Sequence, residues 1–108
     1  MRQAELDRDV SDRELIQALK ALADPTRFRM VQEIAQAGEL SCGEVAERFD
    51  VSQPTISHHL KILIDAGLLV QRTEGKQHYT SVNHARLNGL VGVLPKRLSA
   101  AASKKHRS

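Results

Sequence analysis

With 108 residues, 41% of them apolar, the chain suits a single small domain. Sixteen Lys and Arg against thirteen Asp and Glu leave a net charge of +3, which fits an anionic partner without demanding one. A sole cysteine, Cys42, excludes an intrachain disulfide framework. The polar start of the chain lacks the apolar stretch of a signal peptide, and no window reaches the length of a transmembrane span, so a cytoplasmic protein without membrane contact is expected.

The only aromatic residues are Phe28, Phe49 and Tyr79. A core built from Leu, Ile, Val and Ala favours packed helices. Residues 1–11 are polar and are expected to be a flexible N-terminus. Ser11-Asp12-Arg13-Glu14 reads as a capping box, and Leu15, Ile16, Leu19 and Leu22 follow at helical spacing, which predicts a first helix over 12–23. Asp24-Pro25 starts a second helix. Asp24 is a good cap, and Pro25 loses nothing where its N–H would lack a partner. Phe28, Val31, Ile34 and Ala35 form its apolar stripe, and Gly38 ends it.

Ser41-Cys42-Gly43-Glu44 is a second capping box and opens a short third helix with Val45, Ala46 and Phe49 inward. Asp50-Val51-Ser52 is a sharp corner. Ser52 caps a fourth helix that carries Ile56, Leu60 and Leu63 at i, i+4, i+7 and ends at Gly67. The pattern then changes. Residues 68–72 and 78–82 read as short strands around a hairpin loop over 73–77. Asn83 caps a last helix over 84–95, closed by Pro95, and residues 96–108 form a basic tail with five Lys or Arg and no acid. The expected fold is mainly α with a small β-hairpin. It is a winged helix-turn-helix domain over 12–95, with the helix-turn-helix at 42–66, the wing at 68–82 and an additional helix at each end.

In such a motif the second helix fits the major groove of DNA while the first crosses the backbone. Turning the fourth helix by about 100° per residue puts Ile56, Leu60 and Leu63 on one side and His58 nearly opposite, flanked by Thr55, Ser57 and Lys61. Gln53 sits at the tip. An amide, two hydroxyls, an imidazole and an ammonium can read base edges or hold phosphate. Arg72 and Lys76, at the base and tip of the wing, are candidates for phosphate or minor-groove contact. The candidate partner is double-stranded DNA. An enzyme is not expected, because the chain has no Gly-rich phosphate loop, His-Glu-x-x-His or Gly-x-Ser-x-Gly. The rival is a winged-helix module for protein contact.

Three runs, Ala21 to Arg27, Ser52 to Leu63 and Ala66 to Leu69, resemble the ArsR/SmtB family of bacterial repressors, and the likeness spans about residues 12–94. The resemblance implies a homodimer whose first and last helices form the interface, an inverted-repeat operator, and repression by occupying promoter DNA. It points to Leu15, Ile16, Leu19 and Leu22 with Leu87, Leu90, Val91 and Leu94 as interface residues. It also implies the DNA-contacting positions Gln53, Thr55, Ser57, His58, Lys61, Arg72 and Lys76.

Many family members sense metals through a Cys-x-Cys pair in the third helix. In this chain those two positions hold Ser41 and Gly43, with Cys42 between them. Of the other family site, in the last helix, only His84 is kept. Neither a metal nor a cofactor is expected, and no inducing ligand is named by the sequence. A metal- or redox-responsive repressor with a non-standard site is the alternative; for a thiol switch, Cys42 has the first turn of a helix to favour its thiolate.

Overall fold

The computed structural model describes residues 10–107. Helix α1 (Asp12–Ala23) is followed by α2 (Pro25–Ala37), strand β1 (Leu40–Ser41), α3 (Cys42–Arg48), α4 (Gln53–Asp65), β2 (Leu69–Glu74), β3 (Gln77–Val82) and α5 (His84–Arg107). The three strands form one antiparallel sheet in the order β1-β3-β2.

Local chemistry sets the helix starts. The Asp24 carboxylate accepts the Arg27 N–H at 3.0 Å with Pro25 in the first turn, and Gly38, at φ 85°, ends α2. Ser41 and Glu44 make the full reciprocal box at α3: Oγ accepts the Glu44 N–H at 3.1 Å, and the Glu44 carboxylate accepts the Ser41 N–H at 2.8 Å. At α1 only half of the expected box forms. Ser11 Oγ accepts the Glu14 N–H, but the Glu14 carboxylate pairs with Arg86 of α5 at 2.5 Å. The same carboxylate keeps the Ser11 hydroxyl at 3.1 Å, so the ion pair to a distant helix is added to a local contact.

The core is aliphatic. Met30, Ile34, Val45, Ile56 and Leu63 are completely buried, and Leu40, Leu60, Leu68 and Leu69 close around them. The α2 stripe is rotated from expectation, with Met30 inside and Phe28 half exposed. The α4 stripe of Ile56, Leu60 and Leu63 faces the core as its spacing requires.

Three expectations need correction. Residues 40–41 form a third strand, too short to show an alternating pattern; it is recruited by β3 through the pairs Leu40–Thr80 and Ser41–Tyr79. The hairpin loop is two residues rather than five: β2 and β3 pair as far as Glu74–Gln77, and Gly75, at φ 62°, supplies the left-handed first loop position of a tight turn. The last helix does not close at Pro95 but runs to Arg107, so residues 96–107 of the expected tail are helical. Pro95 removes one hydrogen bond, to the Val91 carbonyl, on the exposed side of the helix. Residues 1–9 of the expected flexible N-terminus lie outside the described residues; Val10, by contrast, is buried, and its carbonyl accepts from Arg97.

Candidate nucleic-acid interface

Helix α4 is bound to the domain by its apolar side and by polar contacts from α1 and α2: Gln17 Nε2 donates to the Asp65 carbonyl at 3.5 Å, and Arg27 reaches His59. The Arg27 guanidinium donates to the Ala21 carbonyl at 2.8 Å and to His59 Nδ1 at 3.3 Å. Because arginine only donates, His59 Nδ1 is the acceptor in this contact. His59 thus ties α4 to the α1–α2 corner. On the other side Gln53, Ser57, His58 and Lys61 are exposed together. Thr55 is half-buried and its hydroxyl lies 2.8 Å from Ser52 Oγ, so it is shared with the helix cap. Lys61 pairs with Asp65 one turn on, at 3.2 Å, with both side chains mostly in solvent. Such an exposed pair is worth about 0–1 kcal/mol and leaves the ammonium exchangeable.

The hairpin has two faces because side chains alternate along a strand. Leu69, Val82 and Thr80 lie on the face turned to the core and are buried; Gln71, Thr73 and His78 continue that face beyond the core, where it becomes polar. On the opposite face Arg72 pairs with Tyr79 across the ladder, and its guanidinium lies 4.5 Å from the Tyr79 ring centroid. It reaches across β3 to Glu39, just before β1, with Nε–Oε2 at 2.8 Å and Nη2–Oε1 at 2.9 Å, while Nη1 takes Glu74 at 2.8 Å. One side chain therefore clasps all three strands. The Arg72 hydrogen bonds hold the Glu39 carboxyl below its ordinary range. Lys76 stands exposed at the tip.

Between α4 and the hairpin lies a cleft of about 440 Å³. Leu60 and Ile64 line it from the apolar side; Ser57, Lys61 and Asp65 line it from the helix, Gln71 and His78 from the strands, and Cys42 from the start of α3.

The residues at the family's cysteine site do not fit a soft metal. Ser41 is committed to the α3 cap, Gly43 has no ligand atom, and Cys42 supplies one sulfur where several are needed. Among the described residues no three His, Cys, Asp or Glu side chains converge on a possible metal position. Burial pushes the Cys42 thiol above its ordinary value, the direction opposite to the thiolate expected at a helix start.

The sequence-based candidates separate in space. Gln53, Ser57, His58 and Lys61 share one exposed surface, Lys76 stands apart on the hairpin tip, and Arg72 faces away from the cleft in its clasp. Of the interface candidates, Leu15 and Leu90 are buried within the chain, Leu22, Leu87 and Leu94 are half-buried, and Ile16, Leu19 and Val91 are exposed at 51%, 43% and 63%. Sequence reasoning missed Glu39, Gln71 and His78. The alternation of β2 and β3 carried the signal for the last two, since the expected strands over 68–72 and 78–82 already put Gln71 and His78 on the same face as Leu69, Thr80 and Val82.

A helix-turn-helix with an exposed polar second helix, followed by a two-stranded wing, defines a winged-helix DNA-binding protein. A helix-turn-helix domain family model matches residues 22–72. The chain is 38% identical over 82 residues to the arsenical resistance operon repressor of Staphylococcus aureus, covering 76% of this chain and 78% of that protein. It is 41% identical over 64 residues to the transcriptional repressor SdpR of Bacillus subtilis, covering 59% and 70%. Among solved structures, an ArsR-like transcriptional regulator from Rhodococcus sp. RHA1 superposes with a TM-score of 0.73 at 29% identity, over 87% of each chain. The chain belongs to the ArsR/SmtB family of winged helix-turn-helix regulators, and it is a DNA-binding transcriptional regulator. No helix among the described residues is long and apolar enough to cross a membrane.

Proposed function

We propose that this regulator is a repressor that binds an inverted-repeat operator as a homodimer. The observation that carries this reading is the exposed polar face of α4, with Gln53, Ser57, His58 and Lys61 held outward by the Ile56–Leu60–Leu63 stripe and the Arg27–His59 anchor. Gln53, Thr55, Ser57 and His58 are the base-reading set, and Lys61 and Lys76 contact phosphate. Arg72 serves as a positioning residue for the wing. The names of the two curated relatives, both repressors, support the direction of regulation.

The dimer reading is supported by an apolar stripe that the chain's own core covers only in part. On α5, Leu87, Val91, Leu94 and Leu98 recur at i, i+4, i+7, i+11, and Val91 and Leu98 are 63% and 64% exposed. Ile16 and Leu19 add a matching pair on α1. Two copies packed about a two-fold axis would cover these faces and present two α4 helices to successive major grooves about 34 Å apart.

Selection of duplexes from a random library by the purified chain should enrich an inverted repeat. Lys61→Ala should weaken binding to every duplex and lower the salt slope by about 0.9. Sedimentation should show a dimer that Val91→Asp converts to monomer. A chain that enriches no duplex would be a protein-contact module instead, and a wild-type monomer at micromolar concentration would remove the interface.

A further inference from the structure

We propose that the cleft between α4 and the hairpin seats one sugar-phosphate strand of the DNA, with Gln71 and His78 as phosphodiester contacts and Asp65 as a restraint on Lys61. This rests on the DNA reading above and adds residues to it. In B-DNA a major groove and its neighbouring minor groove are separated by one backbone strand. A protein that puts a helix in the first and a hairpin in the second must pass that strand through the gap between them. In this chain the gap is the 440 Å³ cleft.

Its lining suits a phosphodiester. Lys61 brings an ammonium from the helix. From the strands, Gln71 Nε2 lies 3.2 Å from His78 Nδ1, and Thr73 Oγ1 lies 3.2 Å from the same atom. An amide nitrogen only donates, so His78 Nδ1 accepts and Nε2 carries the ring's N–H. That N–H and the second N–H of the Gln71 amide are donors for an anion. Asp65 is the one acid in the lining, and it holds Lys61 at 3.2 Å. An entering phosphate replaces Asp65 as the partner of Lys61 and meets its repulsion, so Asp65 lowers affinity for any sequence.

Cys42, the sole cysteine, lines the same cleft and is a native reporter of its occupancy. The test uses the duplex that the wild-type chain selects from a random library. Gln71→Ala and His78→Ala should each bind it roughly five- to ten-fold more weakly, with the same loss on mismatched duplexes, because phosphate contacts carry no sequence information. Asp65→Asn should bind about two- to five-fold more tightly at low salt. The duplex should slow alkylation of Cys42 by iodoacetamide several-fold, and inorganic phosphate alone should not. Unchanged affinity in both alanine variants, or Cys42 alkylation at the same rate in the complex, would overturn the proposal while leaving DNA binding intact. Protection by inorganic phosphate alone would make the cleft a small-anion site and overturn it equally. Failure of the wild-type chain to select any duplex would remove both this proposal and the function on which it rests.

Discussion

The recognition helix and the wing carry similar polar side chains and use them in opposite ways. On α4 the apolar stripe and the Arg27–His59 contact do the holding, so Gln53, Ser57 and His58 stand outward, and Lys61 keeps only an exposed partner. On the hairpin's outer face the most basic residue is itself the fastener: Arg72 holds Glu39 through two hydrogen bonds and Glu74 through a third. A hairpin that projects past the core has little apolar burial to fix its angle, and a planar guanidinium with several donors can replace it. A cationic residue beside a nucleic-acid surface is therefore not automatically a phosphate contact; its existing partners decide.

The largest expected effect breaks the clasp. Arg72→Ala should weaken operator binding more than any variant below, through loss of wing orientation. Arg72→Lys should rescue little, since an ammonium cannot bind two carboxylates in this geometry. Glu39→Gln is the deciding variant in a gel-shift titration. It should weaken binding if Arg72 positions the wing, whereas stronger binding would show that freed Arg72 reaches phosphate. The Arg72→Ala/Glu39→Gln double variant should be little worse than Arg72→Ala alone.

On the other region, Ser57→Ala and His58→Ala should each reduce discrimination between the selected duplex and its mismatched forms by about 1–3 kcal/mol. Equal weakening on all duplexes would move these residues from base reading to backbone contact and blur the contrast between the two regions. A smaller effect comes from beneath both. Ser41→Ala removes the α3 cap and should cost about 1 kcal/mol in urea unfolding, with sequence preference unchanged.

The smallest effect concerns acid. Glu39 sits below its ordinary value of 4.5, first because of the Arg72 hydrogen bonds; Glu14 is lowered first by its hydrogen bond from Arg86, and Asp24 and Glu44 first by backbone N–H groups at their helix starts. A carboxylate whose folded value is depressed contributes stability that is full above its unfolded value and is lost as pH falls through the folded one. Stability should therefore decline below about pH 4.5. The stability gap between the wild-type chain and Glu39→Gln should close over the same range, since the wild-type carboxyl is then protonated and as uncharged as the amide that replaces it. A gap that persists in acid would separate Glu39 from the clasp.

The sequence by itself determined the helix starts and the recognition face. Asp24-Pro25, the Ser41–Glu44 box and Ser52 act across three residues, and the Ile56–Leu60–Leu63 stripe needs only the helical period, so each could be read without knowing the rest of the chain. Tertiary structure decided what depends on remote partners. Glu14 turned to Arg86, Leu15 and Leu90 went inside while Ile16 and Val91 stayed out, residues 40–41 became a strand because β3 offered them an edge, and Arg72 met Glu39 across 33 positions of chain. Spacing along one element says which side chains share a face. Only the packing of elements says which of those faces is covered and which charges are already paired.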